Sequence, residues 1–308
     1  MWFDPWDLIT DSLITKFVRL TRRGPRCDLS IAWRTVRQIE TDRGGLRLRL
    51  AAATLKIPTL GITMMSHPVG QMKVLVTSAN SRLGKISAAG LRSTHEVTLT
   101  DLPQFVEAND GVVANDLDHD EATDSLIADM DAVVFPGIEA HSGDASWLID
   151  HHTRRSYNVL RACVDAGVPH VIYLSTLQLL DDYEERLTVS ERWRPLPSTD
   201  DEILAIHLGE YVFREYAREE PISTTILRLG FPIVDGDRTS ANAGGTAALA
   251  SDDAGLAISA TVEAGGSGYR LLHIQSPVPN ARYLLGNAEL AIGFPDKKES
   301  LAGEGAAR

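Results

Sequence analysis

The sequence predicts an α/β fold of three layers, with a mainly parallel, doubly wound sheet and a reduced C-terminal lobe. Three observations carry that expectation. From Met72 onward, short runs rich in β-branched residues alternate with stretches of helical period. The runs are apolar almost throughout, as strands covered on both faces must be. A turn of small residues, Thr77–Gly84, follows the first run and opens a helix-like segment.

Each element can be justified in order. Lys73–Thr77 (KVLVT) is a first strand and Ile86–Ser93 (ISAAGLRS) lies in the helix behind it. Glu96–Thr100 (EVTLT) is a second strand ending at Asp101; a third begins in Gly111–Ala114 and closes with Asn115-Asp116-Leu117. EATDSLIADM is helical in pattern, and Asp131–Phe135 (DAVVF) is the fourth strand. Ala145–Ala166 is a long helical stretch offering Leu148, Val159, Leu160 and Cys163 to a core, and Gly167-Val168-Pro169 stops it. HVIYLST (His170–Thr176) is the fifth strand, Asp200–Glu219 a helix, and Ser223–Val234 a sixth strand that leaves the sheet. Residues 235–258, rich in Gly, Ala, Ser and Asp, read as flexible in part. Tyr269–Ser276 is a late strand and Ala281–Phe294 a closing helix.

Residues 1–71 stand apart and read as a poorly ordered N-terminal extension; the domain runs from 72 to 308, with its C-terminal lobe within about 235–308. The extension holds 11 Lys+Arg against 6 Asp+Glu, leaving 19 against 36 in the remainder. So acidic a body repels a phosphate backbone, which excludes nucleic acid as an expected partner. Cys27 and Cys163 are too few for a disulfide framework or a zinc cluster, and no spacing suggests another metal site. The longest apolar run, Leu50–Met65, is broken by Lys56, Pro58 and Gly61, so no membrane span is expected. Nor does MWFDPWDL open like a secretory signal, and a cytoplasmic setting is the expectation.

In a Rossmann unit the first βα turn uses glycines for the tight turn, for backbone approach to the pyrophosphate, and for helix–strand packing. The phosphates then face free N–H groups at the helix N-terminus. Here Thr77-Ser78-Ala79-Asn80-Ser81-Arg82-Leu83-Gly84 resembles the T-G-x-x-G-x-x-G loop of the short-chain dehydrogenase/reductase superfamily, on its extended or atypical side. Serines 78 and 81 replace two glycines. Asn158–Thr176 (NVLRACVDAGVPHVIYLST) resembles the family's fourth helix and fifth strand, and ILRLGFPIV and LLGNAELAIGFPDKKE resemble its sixth strand and its closing helix and tail. The resemblance covers about 72–308 and rests on the order of many short pieces. It implies that Thr77, Ser78, Asn80, Ser81, Arg82, Leu83 and Gly84 cradle a nicotinamide dinucleotide. Asp101 would take the ribose hydroxyls, favouring NAD over NADP, and Asp116-Leu117 would lie beside the adenine. Arg82 pulls the other way, as a partner for a 2′-phosphate.

The same superfamily moves a proton with a Ser/Thr and a Y-x-x-x-K pair, the lysine lowering the tyrosine's pKa from about 10. Ser175 or Thr176 remains as the hydroxyl candidate. Alignment on Gly209-Glu210 puts Glu202 and Ile206 at the tyrosine and lysine positions, and no lysine occurs between Lys85 and Lys297. The family's fourth-helix asparagine falls at His152. His151 and His152 are adjacent and not expected to share a site, and His141, Asp144 and His151 fit no metal spacing; each is expected at the surface. Tyr183 is a further candidate to reach the cleft.

Three readings follow. The first is a diverged NAD-binding member without the Tyr-Lys pair, acting as a sensor or an atypical enzyme. The second is an active oxidoreductase or epimerase on a sugar or sugar acid, the chain's length lying nearest to uronate dehydrogenases. The third is an interaction module without cofactor. The resemblance also implies a homodimer through the fourth and fifth helices.

Overall fold

The computed structural model describes residues 70–137 and 144–295. The sequence-based expectations for 1–69, for His141 and for the tail after 295 lie outside the described residues. The elements run β1 (Lys73–Val76), α1 (Arg82–Leu91), β2 (Glu96–Asp101), β3 (Val113–Ala114), α2 (Glu121–Ile127), β4 (Ala132–Pro136) and α3 (Ala145–Asp150). A π-helical segment (His151–Arg155) leads into α4 (Ser156–Ala166), followed by β5 (His170–Thr176), α5 (Asp201–Glu219), β6 (Ser223–Leu229) and β7 (Ile233–Val234). The C-terminal part holds α6 (Arg238–Ala241), β8 (Leu249–Ala250), α7 (Ser251–Ala264), β9 (Tyr269–Ile274) and α8 (Gly286–Ile292).

Seven strands form one parallel sheet in the order β3-β2-β1-β4-β5-β6-β9. The strand order reverses between β1 and β4, and the carboxyl ends of these strands frame the crevice where open α/β sheets bind ligands. Every residue of β4 and β5 is buried, which is why their sequences carry no alternation. Helix ends follow local chemistry. Asp120 and Asp200 cap α2 and α5 through their carboxylates, and α4 ends on Gly167 at φ 75°.

Three expectations are corrected. The sixth strand ends at Leu229; after a cis Phe231–Pro232 peptide, Ile233–Val234 pairs with β8 in a separate two-stranded sheet. The stretch 235–258 is ordered into α6, β8 and most of α7. Its small residues serve packing: a Cβ on Gly90 of α1 would lie 2.6 Å from the Gly255 carbonyl of α7, so the two helices close at glycine. The closing helix is only Gly286–Ile292, because Val189 and Tyr283 bridge strand-like and hold the preceding residues extended. Among the described residues, no helix is long and apolar enough to cross a membrane.

Candidate functional site

The loop after β1 keeps the glycine-loop backbone despite its serines. Ser78 stands at φ 47°, in the left-handed region that glycine occupies freely and serine at a cost. Its carbonyl accepts from Ser81 N at 3.0 Å and from Ser81 Oγ at 2.6 Å. Ser81 caps α1, its Oγ accepting from Gly84 N at 3.0 Å. Both serines are buried. Gly84 is required: a Cβ there would sit 2.1 Å from the Ser78 carbonyl oxygen. In the first turn of α1, Ser81 accepts from Gly84 N through its Oγ and from Lys85 N through its carbonyl, each at 3.0 Å. The buried Thr77 Oγ1 has no partner within the protein. A nicotinamide dinucleotide therefore fits the loop in shape and donor character.

Ser78 is also a direct test of that backbone. Ser78→Gly is expected to raise stability by up to about 1 kcal/mol, the relief of left-handed strain less the added freedom of glycine in the unfolded chain. Chemical denaturation of the two proteins measures it, and a fall in stability would show that the serine holds the turn.

The remaining predicted cofactor residues divide. Asp101 ends β2 next to the loop, its Oδ2 accepting from Asn80 N and its Oδ1 from Leu102 N, both at 2.8 Å; it is only 2% exposed. Asn80 donates through Nδ2 to the Phe105 carbonyl and to Asp110, and this hydrogen bond is the main reason the Asp110 carboxyl is held below its ordinary range. Asn80, Lys85, Phe105 and Asp110 line a cleft of about 480 Å³ beside the loop. Arg82 is engaged across the fold. Its guanidinium donates to the Ile233 carbonyl and to Asp235, each at 2.7 Å. Leu83 and Leu117 are core residues, so only their backbone is available. The Asp116 and Leu117 carbonyls accept from Arg155 and Asn158, which pins the end of β3 to the fourth helix.

Toward the catalytic side, both candidate hydroxyls are wholly buried. Ser175 Oγ donates to Glu210 at 2.7 Å, and Glu210 in turn takes two hydrogen bonds from Arg228 at 2.8 and 2.7 Å. Thr176 Oγ1 accepts from Gln178 N at 3.1 Å. Glu202 is exposed in the first turn of α5, and the Ile206 side chain is fully buried. Tyr183 donates to the Arg194 carbonyl and packs edge-on against Trp193.

What fills this region was not expected from the sequence. His152 Nδ1 lies 2.8 Å from the Tyr173 hydroxyl, which also donates to the Ile206 carbonyl at 3.2 Å. Burial pushes the Tyr173 phenol well above its usual pKa and His152 well below, so both are neutral. Gly209 is there because a Cβ would meet the Tyr173 hydroxyl at 2.3 Å. The surface placement of His151 and His152 is overturned: both are buried, with rings in edge contact at 5.1 Å. The wider π turn narrows the angle between successive side chains, so neighbours face inward together. Trp147 stacks on His151, and Phe135, Tyr173 and Phe213 complete an aromatic block. The signal for it was a tyrosine in the middle of a wholly buried strand.

Comparisons with known proteins agree with this architecture. A family model described as "NAD dependent epimerase/dehydratase family" matches residues 74–245. A curated relative, the uncharacterized protein YtbQ of Bacillus subtilis (strain 168), is 25% identical over 177 residues, 53% of this chain and 69% of its own. Among solved structures, a mutant uronate dehydrogenase from Agrobacterium tumefaciens complexed with NAD has a TM-score of 0.62 at 20% identity, covering 76% of this chain and 89% of its own. A UDP-N-acetylglucosamine 4-epimerase from Bacillus cereus gives 0.55 at 19% identity, covering 73% and 86%. At such identities the likeness establishes the fold.

Proposed function

We propose a function from one premise: the chain belongs to the NAD dependent epimerase/dehydratase family. It is a diverged member that binds NAD and has given up the family's Tyr-Lys proton transfer, so its output is a response to bound nucleotide, as in a sensor or scaffold. The observation that carries this reading is the pairing of Ser78 at φ 47° over Gly84 with Glu202 and Ile206 where the catalytic pair would stand. The loop has kept a strained backbone that suits a dinucleotide, while the proton carrier has been replaced by a carboxylate at the surface and a core side chain. Engagement of Arg82 by Asp235 withdraws the one group that favoured a 2′-phosphate, which supports NAD over NADP. NAD supplies hydride chemistry where a proton carrier is present; here the chain's own residues bind and orient it. The sugar and sugar-acid names of the structural neighbours suggest a sugar or sugar acid as the second ligand.

Thermal unfolding of the full chain with and without NAD or NADP tests it. NAD at 100 times its dissociation constant is expected to stabilise by about 2.7 kcal/mol, and NADP by less at equal concentration. No reduction of NAD is expected with glucuronate or galacturonate. A null response to both nucleotides would instead favour the cofactor-free interaction module, and turnover would favour an active oxidoreductase.

A further inference from the structure

We propose that the cleft between α5 and the edge strand β9 is a second ligand site, and that it takes a free α-amino acid with an apolar side chain, held by both its carboxylate and its ammonium group. The cleft has a volume of about 560 Å³, within the span of roughly 300–1,000 Å³ usual for small-molecule sites. Its walls follow from two periods. His207, Glu210, Tyr211 and Arg214 fall at helical spacing and form one stripe of α5. Across from them, Arg228 on β6 shares a face of the sheet with Tyr269 and Leu271 on β9, since Thr224 pairs with Tyr269 and Arg228 with His273. The segment after β5 supplies Glu191, Trp193 and Arg194. None of these walls belongs to Thr77–Gly84.

Charge on these walls is mixed, and much of it is already matched. Glu210 and Arg228 neutralise each other through an ion pair at 2.7 Å. Arg214 pairs with Glu215 and lies over the Tyr211 ring, 4.4 Å from its centroid. Two buried groups of opposite sign are left unmet. Arg228 is 2% exposed with Nε and Nη2 fixed on Glu210, so its planar guanidinium holds Nη1 in place as a donor without an acceptor in the protein. Glu191 Oε1 is an acceptor without a donor. Burial acts against the Arg228 charge, yet Glu210 and then Tyr269 and Glu191 hold its pKa above the ordinary value. Glu191 thus lies within electrostatic reach of Arg228, which gives its ion pair to Glu210. Leaving either group unmet is costly.

With Arg194 added, the walls carry three arginines against two glutamates. A bare anion is therefore drawn in, but it leaves the Glu191 carboxylate without a donor and beside a like charge. A bare cation has the reverse defect. An α-amino acid answers both groups at once, with a carboxylate for Arg228 Nη1 and an ammonium for Glu191 Oε1. His207 Nδ1, also without a partner in the protein, adds a donor or an acceptor according to its tautomer. Trp193, Tyr269 and Leu271 offer apolar faces to the side chain.

The test titrates L-phenylalanine into the full chain at millimolar concentration, with binding read by saturation-transfer NMR and calorimetry. Binding is expected, and is expected to be about tenfold weaker for phenylacetate, which lacks the ammonium, and for phenethylamine, which lacks the carboxylate. Glu191→Gln is expected to weaken L-phenylalanine about tenfold while leaving phenylacetate as tight or tighter. A merely structural role would weaken both alike, and the melting temperature verifies that the variant folds. The affinity for L-phenylalanine is expected to be the same with and without NAD, which separates the cleft from the dinucleotide loop. Failure of L-phenylalanine to bind, or phenylacetate or inorganic phosphate binding as tightly, would overturn the proposal. So would competition with NAD, or displacement of L-phenylalanine by glucuronate.

Discussion

Glu210→Ala is expected to destabilise the fold by about 3–5 kcal/mol, a large part of the stability of an ordinary domain. Glu210 is 5% exposed and Arg228 2%, joined by two hydrogen bonds of 2.8 and 2.7 Å. Removing the carboxylate strands a guanidinium inside the protein and takes the acceptor from Ser175. The size comes from that stranded charge more than from the attraction lost. Replacing both partners therefore makes the sharper experiment. Glu210→Met combined with Arg228→Met is expected to be far milder than the sum of the single changes, because a buried ion pair exchanged for apolar packing is often close to neutral. Urea unfolding of the wild type, both single variants and the double variant gives the coupling. Additive losses would mean that the pair is not the unit described here.

Acidification is expected to be comparably severe. Burial, reinforced by Arg270, holds His170 down to about 4; burial and then Arg228 hold His273 down to about 3. In the unfolded chain each titrates near 6.5. A histidine whose folded pKa is depressed contributes stability that is complete above the unfolded value and is lost as pH falls toward the folded one. Between about pH 6.5 and 4 the unfolded state holds the extra protons, so each residue removes about 1.4 kcal/mol per pH unit. Together they remove about 5 kcal/mol by about pH 4.5. Unfolding free energies measured across this window should show at least that slope, to which His152, also held down by burial, adds; His273→Gln should remove close to half of the share due to His170 and His273. An undiminished slope in a variant lacking both histidines would assign the acid sensitivity elsewhere.

Much of the fold was legible because its determinants are local or periodic. Apolar runs without alternation marked β4 and β5 as strands covered on both faces, and the turn at Thr77–Gly84 marked the first crossover. The absence of lysine between Lys85 and Lys297 could be read directly. Residues 251–258 were misread because the same small residues make both loops and tight helix contacts; only the partner, Gly90 against Gly255, separates the two. His151 and His152 were misplaced because a regular α-helix was assumed and the chain makes a π turn. The engagement of Arg82 was not legible for a different reason. Its partners, Ile233 and Asp235, are about 150 residues away in sequence.

The sequence by itself determined the order of strands and helices, the small-residue turn after the first strand and the absence of lysine between Lys85 and Lys297, since all of these are written in composition and short-range spacing. The tertiary structure alone decided what the polar groups do. It turned Ser175 to Glu210, Glu210 to Arg228 and His152 to Tyr173, and brought Glu191, His207 and Arg228 to one cleft. Such pairings join strands and helices distant in the chain, and a buried charge or donor takes its meaning from the partner that the packing supplies.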